Sequence, residues 1–171
     1  PETSNPIVPE VAAFPFPSDF YLADDATSAT GRTVVIPEAA LPDRVPASAL
    51  EGMDGFSRIP VIATYIPGGI DPTSLLALDD HEGSTGATAP VLLIEEGTWQ
   101  AIPILAESDL TADRDEDRAL LIRPLRLLDE NTGYVVVVRN TIRNATGETP
   151  VPSLATSALL DGTATEDPSI E

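Results

Sequence analysis

Arg123-Pro-Leu-Arg-Leu-Leu-Asp-Glu-Asn-Thr-Gly-Tyr-Val-Val-Val-Val-Arg139 is the stretch whose reading decides the fold of this 171-residue chain. It predicts the end of one strand, a corner, and a second strand entered through a tyrosine. Four successive valines are β-branched and restrict χ1, which favours a pleated strand over a helix. Gly133 before the tyrosine supplies the turn chemistry. Valines on both faces of residues 134–138 predict apolar cover on both sides of that strand.

Working outward, the same alternation of short apolar runs and turn signals recurs. Thr33–Ile36, Phe56–Ile66, Pro90–Glu95, Trp99–Leu105, Ala119–Pro124 and Gly133–Asn140 read as strands. Asp54-Gly55 reads as a turn. Asp71-Pro72-Thr-Ser74 reads as an Asp-initiated or capped turn. Pro103 inside its run predicts an edge or a bulge. The 17 prolines and 11 glycines disfavour long helices. About seven short strands with turns between them predict an all-β sandwich. Residues 1–23 read as a Pro-rich arm, partly docked through Phe14, Phe16 and Phe20. Residues 24–148 read as the sandwich, and 149–171 as a low-complexity spacer toward a further domain.

Composition bounds the function. Hydrophobic residues make up 42%, enough for a packed core. The formal net charge is −19, and all nine basic residues are arginine. Phosphate binding needs a basic face, so no nucleic-acid partner is expected. Membrane insertion is not expected either, because no apolar run approaches the ~18–20 residues of a span. Without cysteine there is neither a disulfide nor a thiolate metal site. The residues given open on no charged-then-apolar signal segment.

The run Ala63-Thr-Tyr-Ile-Pro-Gly-Gly-Ile-Asp71-Pro72-Thr-Ser74-Leu75, followed by Leu121-Ile-Arg-Pro124-Leu125, Thr132-Gly-Tyr134-Val-Val-Val-Val138 and Arg143-Asn-Ala-Thr-Gly147, resembles the bacterial Ig-like domains of surface-layer proteins. Phe14-Pro-Phe-Pro-Ser-Asp-Phe20 with Met53-Asp-Gly-Phe-Ser57 is similar to the N-terminal domain of bacterial extracellular (virulence-factor) lipases. The likeness runs from about Phe14 to Gly147; the loop Asp79–Ala89 departs from it. It implies an immunoglobulin-like sandwich of about seven strands, secreted or at the cell surface. Its signal sequence would lie outside this chain. The partner implied is a downstream α/β-hydrolase domain or another surface protein. In that sandwich a tyrosine hydroxyl ties the corner to nearby backbone while the ring packs inward.

Candidate chemistry is sparse. Gly55-Phe-Ser57-Arg-Ile59 starts a serine elbow but has Ile where the second Gly belongs. The sole histidine, His81, sits among Asp79, Asp80 and Glu82, which reads as a solvated loop. Asp113, Asp115 and Asp117 have the alternating spacing of a calcium loop, yet Arg118 and Pro124 occupy the positions that require Gly and Glu. A looser calcium site with Asp79, Asp80 or Asp109 stands beside a plain charged turn. Trp99 reads as core or half-buried, with a sugar-stacking platform as the alternative. Asn144-Ala-Thr146 matches a glycosylation sequon. Catalytic residues and cofactors, calcium aside, are therefore expected to be none. Tyr134, Asp71, Gly55 and Trp99 are the structural residues. The expected function is a non-catalytic accessory domain. A carbohydrate- or surface-binding module and a calcium-stiffened adhesion module are the alternatives.

Overall fold

The computed structural model describes residues 5–8, 11, 13–41 and 44–163. Parts of the predicted arm (1–4, 9, 10 and 12) and of the predicted spacer (164–171) lie outside the described residues. The described residues are mostly β: among them are eight short strands in three small antiparallel sheets, with single 3-10 turns between them and one short α-helix. It divides into two compact units, one made of Ser57–Pro150, the other of the described residues before and after it.

In the unit containing both ends, β1 (Leu22–Asp24) pairs with β2 (Arg32–Val34) as a hairpin. Tyr21, fully buried, centres this unit, with Phe20 at 5.2 Å and Phe16 at 6.3 Å between ring centroids. Phe16 also meets Phe56 edge-on at 5.5 Å. The aromatic run of the predicted arm is thus a small core of its own. α1 (Leu154–Asp161) starts inside the predicted spacer. Its cap is Ser153, whose hydroxyl accepts from Thr156 N–H and donates to the Pro6 carbonyl. Gly162 closes it at φ 64°, the left-handed conformation that favours glycine.

The Ser57–Pro150 unit holds two three-stranded sheets. In one, β3 (Ile62–Thr64) and β6 (Ile104–Ser108) flank β7 (Leu120–Pro124). In the other, β5 (Ala101–Ile102) and β8 (Tyr134–Val138) flank β4 (Val91–Glu95). One hydrophobic cluster draws on both sheets: Ile62, Ile104, Leu120 and Ile122 from the first, Val91, Leu93 and Ile102 from the second. Tyr134, Val136 and Val138 pack against it from the same face of β8.

The run Trp99–Leu105, predicted as one strand, is two. At Pro103 the chain leaves the β4 sheet and joins the β7 sheet. Ile102 and Ile104, two apart and nominally on one face, are both buried in the shared core. Proline suits this point because it has no N–H to leave unpaired, while its carbonyl still accepts from Leu125 N–H at 2.9 Å. The strand predicted over Phe56–Ile66 shrinks to Ile62–Thr64, bounded by Pro60 and Pro67.

Candidate functional site

Tyr134 opens β8 beside Glu95 of β4. Its hydroxyl accepts from the Asp129 N–H, five residues upstream, at 2.9 Å. Its ring packs on the core cluster. Arg58 braces the same corner: Nε donates to the Leu128 carbonyl at 2.6 Å, and the guanidinium pairs with Glu130. The Arg58 carbonyl in turn accepts from Leu128 N–H.

At the opposite end Asp71 caps the turn Pro72–Ser74. Its carboxylate accepts from both the N–H and the hydroxyl of Thr73, each at 2.8 Å. Ser74 Oγ donates to the Asp71 carbonyl and accepts from Arg143 N–H. The Asp71 N–H closes the loop onto the Arg143 carbonyl. Pro67-Gly-Gly69 precedes this cap. Gly69 sits at φ 75°, and a Cβ there would overlap the Asp115 carbonyl, so only glycine fits.

Gly55 carries no such requirement: a Cβ on it would meet open space. The turn glycine of that segment is Gly52, at φ 78°.

Trp99 departs from the core reading. It is 70% exposed, in the loop that joins β4 to β5, and sits at φ 56°. Its N–H bonds back to the Glu95 carbonyl. A bulky residue in the left-handed region is an outlier. The hairpin, rather than the side chain, dictates it, because Glu95 N–H must reach the Gln100 carbonyl at 3.0 Å.

The acidic loop does not assemble as the calcium spacing predicts. Asp115 pairs with Arg118 and Asp117 with Arg114, while Glu116 also pairs with Arg114. Among the described residues no group of three or more His, Asp or Glu is placed to hold a metal ion. The Arg114 guanidinium holds the Glu116 carboxyl below the usual glutamate range, second to a backbone hydrogen bond. Asp109 is likewise held low, by the Thr111 hydroxyl and N–H.

His81 is exposed and contributes its backbone: its carbonyl accepts the Ser84 hydroxyl at 2.6 Å. Ser84, 3% exposed, accepts from Ile104 N–H at 3.1 Å. The loop Asp79–Ala89 therefore satisfies the backbone just after the strand changes sheets. Sequence reasoning missed Ser84; the only available signal was a serine in a loop that matched nothing. A recess lined by Ala77, Asp80, Ser84, Val91 and Ile104 has room for about 10 Å³, on the scale of one water. Ser57 Oγ is exposed and accepts from Ile59 N–H. No helix among the described residues is long and apolar enough to cross a membrane.

No protein-family model, no curated protein and no solved structure matches the chain.

Proposed function

We propose that the Ser57–Pro150 unit is an immunoglobulin-like sandwich that serves as a non-catalytic accessory module of a secreted or cell-surface bacterial protein. In this reading it braces or presents an α/β-hydrolase domain of lipase or esterase type. The observation that carries it is the Tyr134 hydroxyl on the Asp129 N–H. A tyrosine that opens a late strand and bonds back to its own corner matches the tyrosine-corner arrangement of that fold. The side-chain hydrogen bonds support a scaffold role, since most end on backbone groups of turns and caps, as at Asp71, Ser74 and Ser84.

Two measurements test this. The coding sequence flanking this segment is expected to carry a Gly-x-Ser-x-Gly on a strand–turn–helix pattern. A neighbourhood of further sandwich-like repeats would instead favour an adhesion protein. The 171-residue chain itself is expected not to hydrolyse short-chain aryl esters. Turnover that disappears in Ser57→Ala would refute the accessory reading.

The exposure of Trp99 favours one second reading, a carbohydrate- or surface-binding module in which the indole stacks on a sugar face. Glycan binding lost in Trp99→Ala would select it.

A further inference from the structure

β8 is an edge strand with one partner, β4. Glu96 N–H bonds the Gly133 carbonyl and Arg139 N–H bonds the Pro90 carbonyl. With the register Leu92↔Val137 and Ile94↔Val135 between them, the odd residues of β8 turn their backbone groups toward β4. Tyr134, Val136 and Val138 therefore turn theirs outward. Among the described residues no hydrogen bond reaches the N–H or C=O of these three.

The other edges are blunted. β5 is two residues long, β3 lies between Pro60 and Pro67, and β6 follows Pro103 and carries Glu107 in an ion pair with Arg123. β8 has no charge, no proline and no bulge. The segment after β8 does not return to cover it, because Arg143 and Ala145 bond instead to Asp71 and Gly68.

We infer that β8 is the dimerisation edge of this protein, pairing antiparallel with β8 of a second copy about a twofold axis at Val136. The strand is self-complementary in that register. Val136 meets its own mate, and Tyr134 meets Val138 twice. All three pairs use the outward N–H and C=O groups, and the two sheets become one of six strands.

Charge selects this occupant. Arg58, Arg114, Arg118, Arg123 and Arg126 each have a carboxylate partner. Arg139 and Arg143, just past β8, have none among the described residues. At the other end of the strand the Glu96 carboxylate lies against Gly133, close enough to overlap a Cβ placed there, and Glu96 is in no ion pair among the described residues either. The twofold register puts Arg139 of one copy opposite Gly133 of the other, so an arginine held only on the Ala89 carbonyl, with no carboxylate partner among the described residues, arrives at Glu96. A parallel pairing would bring like ends together.

The test is sedimentation equilibrium of the full chain over a roughly hundredfold concentration range. The expected mass rises toward twice 18.0 kDa. Val136→Pro removes an outward donor and none that β4 uses, but it also exchanges a side chain that packs on the core, so the monomer expected of it counts only where circular dichroism is unchanged. Arg139→Glu is expected to weaken association about tenfold, and Glu96→Arg with Arg139→Glu to restore it. Amide exchange on the unmutated chain is independent of how the variants fold. Tyr134, Val136 and Val138 are expected to gain protection with concentration, while Val135 and Val137 stay protected throughout. A monomer at every concentration overturns the inference. So does a dimer that survives both single variants, or protection of the three outward amides at monomer mass, which would mean that another segment covers the edge.

Discussion

Replacing Tyr134 by Phe keeps the ring that packs on the core and deletes one oxygen. That oxygen accepts from the Asp129 N–H at 2.9 Å. Asp129 is exposed, so its freed N–H can turn to water, and the penalty is that of a lost hydrogen bond rather than of a buried orphan. The expected cost is about 1 kcal/mol, within the 0.5–1.5 kcal/mol range of such bonds. For a unit the size of Ser57–Pro150 this lowers the melting midpoint by about 4–8 °C. The assay is thermal and urea denaturation followed by far-ultraviolet circular dichroism, with Tyr134→Ala as reference. The alanine variant also loses ring packing and is expected to cost about 3 kcal/mol or more. A Tyr134→Phe midpoint equal to that of the unmutated chain would remove the corner bond as a contributor. The sandwich argument would lose its strongest single observation with it.

Ser84→Ala is expected to cost more than Tyr134→Phe, about 1–3 kcal/mol by urea denaturation, because it strands the Ile104 N–H beside a buried serine site. Asp109 is expected to titrate by NMR below the ordinary aspartate range, and Thr111→Ala to move it up toward that range. A depressed folded pKa stabilises the fold above the unfolded value, and this contribution is lost as pH falls through the folded one, so the Thr111 dependence should vanish in acid. Trp99 is the sole tryptophan and 70% exposed. Its emission should be that of a solvated indole, quenched by acrylamide and little changed on unfolding; a large red shift on unfolding would return it to the core.

Where sequence reading succeeded, the signal was local and chemical. Tyr134 after Gly133 and Asp71 before Pro72 each follow from what one short segment can do with its own backbone. Failures came where the deciding contact is remote. Pro103 marks an edge or a bulge locally, but nothing local says that the strand passes to a second sheet there. Trp99 was read as core on the weight of its ring, whereas the hairpin's closing bonds decide its place. The division into units was hidden too. Thr33–Ile36 reads as a strand of the sandwich, yet β2 (Arg32–Val34) pairs with Leu22–Asp24, at the end of the segment read as an arm. The segment read as spacer holds an eight-residue helix whose cap bonds the Pro6 carbonyl.

One device accounts for three of the 28 acidic residues and bears on two of the candidate motifs. Asp25-Ala-Thr27, Asp71-Pro-Thr73, Asp109-Leu-Thr111 and Asn144-Ala-Thr146 share a single geometry, in which one side-chain oxygen accepts both the N–H and the hydroxyl of the threonine two residues on. Each closes a turn by satisfying backbone that the loop would otherwise leave to water. The sequon match at Asn144 is one instance, and Asn144 Oδ1 accepts a third bond from Glu148 N–H. In the acidic loop, Asp109 is engaged in the same way and Asp115 and Asp117 are paired with arginines. A cation binding there would have to displace bonds that already shape the loop. These acids cannot be read as spare ligands from their spacing. The sequence offers an Asp or Asn with Thr at the second position after it five times; four form this turn, and at Asp161-Gly-Thr163 the Thr163 N–H closes the helix on the Ala158 carbonyl instead.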